Sequence, residues 1–219
     1  MIRLGVSRLT LDDVVELARG EARVELPEEA RARVRASRRV VDEAVAANQV
    51  VYGVTTGFGP LKNQHIPADD VRALQLNLVR SHCAGTGPAT PREVVRAMLL
   101  LRAHSLAMGA SGVRPEVIEM LIAMLERRVT PVVPLQGSVG ASGDLAPLAH
   151  MSGALCGFPE AEIIYKGKRM PARDAIKKAG LEPDFTLHAK DASALINGST
   201  VSLAIRSEEH TSELQSRQY

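Results

Sequence analysis

Residues 90–107 read TPREVVRAMLLLRAHSLA, and this stretch decides the fold class. Thr90 offers a cap, Pro91 suits a first helical position, and Glu93 places an acid in the first turn. The helix so started runs through Met98 to Leu101 and on to about Ala107, apolar on nearly every side. A helix of that kind is expected to be central and buried, because no face of it is suited to water.

The same signals recur on both sides. Thr10 with Asp13 three positions on forms a capping-box pattern before Val14, Val15 and Leu17. Pro27, Glu28 and Glu29 open a second helix with Val34, Val41 and Val45 at helical spacing, ending at Asn48. A third follows Pro67, with Asp69 and Asp70 in its first turn and Val71, Leu74 and Leu78 on one face. Pro115 and Glu116 open another that carries Val117, Ile118, Leu121, Ile122 and Leu125. Residues Pro171 to Ala179 form a short helix stopped by Gly180. Strand signals are few: Val50 to Val54 reads as a short strand, and Ile163 to Tyr165, Lys166-Gly167-Lys168, then Arg169 and Met170 as a small hairpin. The chain is therefore expected to be mainly α with a few short strands and glycine-rich irregular segments between helices.

Composition narrows the function classes. The 219 residues are 45% hydrophobic and 24% charged, enough to bury a core. Lys and Arg number 27 against 25 Asp and Glu, a formal charge of +2, which gives no footprint for nucleic acid or an anionic membrane. Aromatics are 3% and Trp is absent, so base-stacking platforms are not expected. Two cysteines, Cys83 and Cys156, exclude a disulfide scaffold and fit a reducing compartment. Asp12, Asp13 and Glu16 arrive too early for a signal peptide. The longest uncharged stretches, Val129 to Gly143 and Leu145 to Pro159, fall short of a membrane span of roughly 18 residues. A soluble cytoplasmic protein is the expectation.

The end of the chain stands apart. Arg206 to Ser216 reads RSEEHTSELQS, which resembles a translated sequencing adapter, and the helix-like run Val201 to Ile205 stops against it. The expected organisation is a single domain over residues 1–205 and an artefactual tail over 206–219, the latter set aside from functional reasoning.

The most unusual segment is Gly137 to Pro147, GSVGASGDLAP. Attack of the Gly143 amide nitrogen on the Ala141 carbonyl would close a five-membered ring around Ser142. Loss of one water, then of the Ser142 hydroxyl as a second, would leave a 4-methylidene-imidazol-5-one (MIO), an electrophile made from the protein alone. Ring size dictates the spacing, and a glycine nucleophile has no Cβ to block the approach. Two other readings fail. A G-x-S-x-G nucleophile elbow is spoiled by Asp144 in the last glycine position, and a Walker loop needs a lysine that does not follow. A plain glycine-rich turn before a helix capped by Asp144 remains the bland alternative.

The stretch Gly137 to His150, GSVGASGDLAPLAH, resembles the signature of the aromatic amino acid ammonia-lyases, which act on histidine, phenylalanine or tyrosine and include related aminomutases. Three further segments match in order. Tyr52 to Gly59, YGVTTGFG, resembles the family's tyrosine loop; Ser81 to Gly85, SHCAG, its substrate-selectivity segment; and Leu195 to Gly198, LING, its asparagine motif. The resemblance covers about residues 3 to 205 and implies the N-terminal part of the fumarase/aspartase-like helical fold of that family.

The resemblance also implies chemistry. Family members remove ammonia from an α-amino acid and leave an α,β-unsaturated acid, using MIO formed from Ala141, Ser142 and Gly143 and no external cofactor. Either the substrate amine or the substrate ring adds to the methylidene. Tyr52 would act in proton transfer; with an ordinary pKa of roughly 10 it needs nearby positive charge to serve as a base. Read alone, Tyr52 is a strand-end aromatic. Asn197 would hydrogen-bond the prosthetic group or the substrate; read alone, Asn-Gly is a turn. A helix after Asp144 would aim its positive end at the ring.

His82 after Ser81 resembles the histidine-specific type, whose product is urocanate, and could exchange a hydrogen bond with a substrate imidazole. That assignment places the chain in histidine catabolism. Beside Cys83 it has no second ligand pair for a metal, and none is expected. Thr55 departs from the pattern, since histidine-type members often carry Asn there. A phenylalanine or tyrosine lyase, or an aminomutase, is the alternative within the family. Outside catalysis stands an inactive truncated helical fragment, because family members are about twice as long and build their sites in homotetramers.

Overall fold

The computed structural model describes residues 1–64, 66–67, 70–139 and 143–207 of the chain. The described residues are mainly helical: α1 Leu11–Arg19, α2 Glu28–Ala46, α3 Val71–His82, α4 Arg92–Ala107, α5 Pro115–Glu126, α6 Leu145–Leu155, α7 Ala172–Lys178 and α8 Asp191–Ile196. Residues 200–207 are helical as well.

Helix α4 is the axis of the core, as its sequence predicts. Val94, Val95, Ala97, Met98, Leu99, Leu100, Ala103, Leu106 and Ala107 are all buried, and α4 packs against α1, α5 and α2. Truncating one of these side chains, Leu99→Ala for example, would cost about 2–5 kcal/mol. Helix α6 makes the second half of the core with α3 and α8. The α1 capping box forms as read: the Thr10 side chain accepts from the Asp13 amide, and the Asp13 carboxylate accepts from the Thr10 amide at 2.9 Å. At the head of α4 the expectation fails. Pro91 holds the cap position, and Thr90 instead donates its amide to the Val133 carbonyl at 2.7 Å, so tertiary pairing takes the residue away from capping.

Two other expectations are corrected. Helix α3 buries Val71, Gln75 and Val79, while Leu74 and Leu78 are only partly buried. The buried Gln75 ties α3 to α8, its Oε1 accepting from the Ala192 amide at 2.9 Å. Val50 to Val54 is not a strand: the Val54 and Thr55 amides both return to the Val51 carbonyl at 3.0 Å, closing a tight turn. Asp69, expected in the first turn of α3, lies outside the described residues.

The strands are short and peripheral. β1 Ile2–Arg3 pairs in parallel with β2 Val24–Glu25, and β3 Thr86–Ala89 pairs antiparallel with β5 Pro134–Gln136. β4 Thr130–Pro131, β6 Glu162–Tyr165 and β7 Lys168–Pro171 form a three-stranded antiparallel sheet. The expected hairpin is its β6–β7 arm, turned at Lys166 and Gly167, both with positive φ as a type I′ turn requires.

Candidate active site

The site is assembled where the ends of α3, α6 and α8 converge. Asp191, fully buried, fixes the start of α8. Its Oδ2 accepts from Arg114 Nε at 2.7 Å and from the His188 amide at 2.8 Å, and Arg38 Nη1 lies 3.5 Å from Oδ1. A carboxylate out of water needs such partners. The helix that follows delivers Asn197 and Gly198 to the site.

Gly198 meets Gly143 backbone to backbone. A Cβ on Gly143 would fall 2.8 Å from the Gly198 carbonyl oxygen and 3.1 Å from its carbon. Gly143 has φ +120°, a conformation that favours glycine. The next amide, that of Asp144, donates to the Gly198 carbonyl at 2.8 Å. On its other side Gly198 abuts Arg102 of α4, whose Nη1 would lie 2.3 Å from a Gly198 Cβ and donates to the Asn197 carbonyl at 2.6 Å. The Asn197 side chain donates to the Ser193 carbonyl at 2.8 Å, and the residue is exposed.

Asp144 occupies the cap position of α6, but its side chain makes no capping bond. It is buried, and it accepts from Ser138 Oγ at 2.8 Å and from Ser202 at both Oγ and the amide, each at 2.9 Å. The carboxylate therefore ties both flanks of the 137–143 segment to the helix at 200–207. That is a different task from capping, and it corrects the bland reading of this aspartate.

His82 is the last residue of α3. Its Nδ1 lies 2.8 Å from the Leu78 carbonyl and 3.1 Å from Ser81 Oγ, which leaves Nε2 for another partner. His82 and Gly143 line a common pocket of about 200 Å³ together with Ser81, Ala84, Val139 and Leu145. His150 of α6 holds the segment in front of it. His150 Nε2 accepts from the Gly85 amide at 3.0 Å, which requires the neutral ring, and burial holds the His150 pKa below its ordinary 6.5.

Tyr52 does not line that pocket. It sits on the tight turn after Val51, 61% exposed, edge-on to Phe58 with ring centroids 5.9 Å apart. Its neighbours are pinned: Val54, Thr55 and Thr56 are buried. Thr55, the departure noted in the sequence, spends its hydroxyl on the backbone, accepting from the Val51 amide at 2.9 Å and donating to the Gln49 carbonyl. It supports the turn rather than facing the pocket.

Ala141 and Ser142 lie outside the described residues, so of the expected prosthetic-group triad only Gly143 is placed. What surrounds it fits such a group. The Gly143–Gly198 contact is a cradle that any Cβ would fill, and two buried polar atoms at the edge of Gly198 have no partner among the described residues: Arg102 Nε and Thr200 Oγ1. Among the described residues no group of three or more His, Cys, Asp or Glu could hold a metal ion. Both thiols are kept protonated by burial, Cys83 pushed up to about 11 and Cys156 to about 12, so neither is poised as a nucleophile.

The structure thus brings Gly143 and His82 to one pocket, sets Asn197 next to the Gly198 that touches Gly143, and leaves Tyr52 on the surface. Reading the sequence missed Asp144, Arg102 and His150 as organisers of the site. Arg102 did leave a signal, a cation directly after the apolar run Met98 to Leu101 of α4.

A mainly helical fold in which Gly143, just before α6, meets Gly198 just after α8 points to a class. Residues 9–212 match the sequence profile of the family described as aromatic amino acid lyase, and the chain belongs to that family. It is 52% identical over 197 residues to the histidine ammonia-lyase of Gloeobacter violaceus and 49% identical over 197 residues to that of Myxococcus xanthus, covering 90% of this chain in each case. The chain spans 38% of the length of these two relatives. Among solved structures, histidine ammonia-lyase from Trypanosoma cruzi superposes with a TM-score of 0.85 at 36% identity, over 94% of this chain and 39% of the other. Ergothionase from Treponema denticola, solved with desmethyl-ergothioneine sulfonic acid, does so at 0.89 and 30%, over 94% and 41%.

Proposed function

We propose that this chain is the N-terminal, prosthetic-group-bearing part of a histidine ammonia-lyase, a carbon-nitrogen lyase that converts L-histidine to urocanate and ammonia. The observation that carries the proposal is the pocket in which His82 and Gly143 face common space, with Gly143 backed by the Gly198 backbone. The identity to two histidine ammonia-lyases supports the substrate.

The residues Ala141, Ser142 and Gly143 would form MIO, which supplies an electrophilic carbon to activate the amine as a leaving group. The protein's own share is positioning. Asp144 anchors the loop on both sides, and Gly143 is pressed against Gly198. His82, its Nδ1 engaged by the backbone, would present Nε2 to the substrate imidazole, where one ring nitrogen donates and the other accepts. Asn197 would direct its amide to the group or the substrate. Tyr52 would take the β-proton at a site shared between subunits of a homotetramer, which accords with its exposure and with the exposed apolar residues Leu61, Leu135 and Val139.

No helix among the described residues is long and apolar enough to cross a membrane. A cytoplasmic setting accords with the two free cysteines, Cys83 and Cys156. The proposal is tested by assaying the protein expressed from its complete gene with L-histidine, L-phenylalanine and L-tyrosine. Turnover confined to L-histidine is expected. Preference for either other amino acid, or a β-amino product, would replace the assignment by another member of the family.

A further inference from the structure

We propose that Arg102 is a positioning residue for Gly143: its buried guanidinium clamps the Asn197–Gly198 turn against Gly143 and so fixes the amide that ring closure would use. The inference rests on the reading above that residues 141–143 cyclise.

The contrast with Arg96, on the same helix, makes the case. Arg96 is also buried, but its Nε, Nη1 and Nη2 donate to the Ala18, Leu125 and Leu17 carbonyls at 2.9, 3.1 and 2.9 Å. It satisfies the carbonyl ends of α1 and α5, and packing alone explains it. Arg102 is 5% exposed and has no carboxylate among the described residues. Its hydrogen bond goes from Nη1 to the Asn197 carbonyl at 2.6 Å, and its Nε is buried without a described partner. Burying a cation so sparsely paired is unfavourable, and a hydrocarbon of the same length would fill this place in α4 at lower cost. What the guanidinium adds is direction. Burial draws its pKa down to about 10, so it stays charged at neutral pH.

The direction leads to the loop. Nη1 fixes the Asn197 carbonyl and lies against the Cα of Gly198. The Gly198 carbonyl receives the Asp144 amide, and the backbone of Gly198 stands against Gly143. One guanidinium therefore immobilises a two-residue turn whose opposite face is the wall behind the attacking amide. Without that wall the Gly143 amide would lose its fixed placement for the attack. Intramolecular attack depends steeply on such placement, and a shift of about 1 Å can cost on the order of 100-fold in rate.

The test compares wild type, Arg102→Met and Arg102→Lys, each expressed from the complete gene and isolated as folded protein. Three properties are read: loss of two waters by intact mass, cooperative thermal unfolding, and hydrogen exchange at the Asp144 amide. Arg102→Met is expected to unfold cooperatively, to cyclise about 100-fold more slowly and to exchange faster at Asp144. Arg102→Lys, which keeps the charge but not the fork, is expected to fall between. Cyclisation of Arg102→Met at the wild-type rate would overturn the proposal. So would loss of cooperative unfolding in both variants, which would make Arg102 a residue of the core at large. If the wild type keeps both waters, the lyase reading fails, and Arg102 is then judged by Asp144 exchange alone: unchanged exchange in Arg102→Met overturns its clamping role.

Discussion

Gly143 and Gly198, 55 residues apart in sequence, touch through their backbones, and no side chain fits between them: a Cβ on Gly143 would stand 2.8 Å from the Gly198 oxygen. The contact joins two motifs that the sequence presents separately. It also positions the amide that ring closure would use.

Replacing Gly143 by alanine therefore strikes twice, through the contact and through its φ of +120°. Strain of about 1–3 kcal/mol is expected, enough to lower cyclisation about tenfold or more. Intact mass checks it: Gly143→Ala should retain two waters in most molecules while still unfolding cooperatively.

His82 shares the pocket with Gly143 and leaves Nε2 for a ligand. His82→Phe, with Ser81 kept, should lower kcat/KM for L-histidine about 100-fold, or about 2.7 kcal/mol, because a buried substrate imidazole loses its partner. Activity on L-phenylalanine should hold or rise. Steady-state kinetics with both substrates measures the change, and an equal fall on both would place His82 outside substrate recognition.

The Asp144 carboxylate serves three hydrogen bonds from Ser138 and Ser202. Asp144→Ala removes the buried acceptor that joins Ser138 and Ser202 to the head of α6 and should reduce stability by about 1–2 kcal/mol. Chemical denaturation reads this as a lower midpoint at unchanged slope.

Acid should weaken the structure through its histidines. Burial depresses the pKa of His150, His104 and His188 below 6.5, so in this pH range the unfolded chain binds more protons than the folded one. Their stabilisation is complete above pH 6.5 and is lost as pH falls through the lower folded values. For His150 the loss has a local consequence, because its protonated Nε2 can no longer accept from the Gly85 amide. Melting temperatures from pH 7.5 down to 5 should fall with a slope that His150→Gln makes shallower.

Much of the fold was legible because its helices carry local instructions. The α1 capping box, the prolines that open α2 and α5, and the Lys166-Gly167 turn all form as read. What escaped depends on remote partners. β1 and β2 are two residues each and pair across more than twenty positions, leaving no periodicity to detect. Val50 to Val54 has strand-like residues, yet Val54 joins Val41, Val71 and Ala189 in a small separate core while Val50 and Tyr52 stay exposed, an arrangement a turn provides. The candidate site was legible as motifs but not as a mechanism of support. Gln75, Arg102 and Asp144 are polar groups whose burial only the tertiary structure explains. Ala141 and Ser142 of the expected ring lie outside the described residues, as do residues 208–219 of the tail expected over 206–219, while Arg206 and Ser207 continue the helix past Ile205.

The central claim is that residues 141–143 become an electrophile without outside help, and peptide mass spectrometry tests it most directly. Trypsin releases residues 129–166 as one piece, since no Lys or Arg interrupts them. That peptide, from protein expressed from the complete gene, should weigh two waters less than its sequence, with the deficit confined to residues 141–143. A peptide of full mass, with an unmodified Ser142, would contradict the assignment of this chain to ammonia elimination.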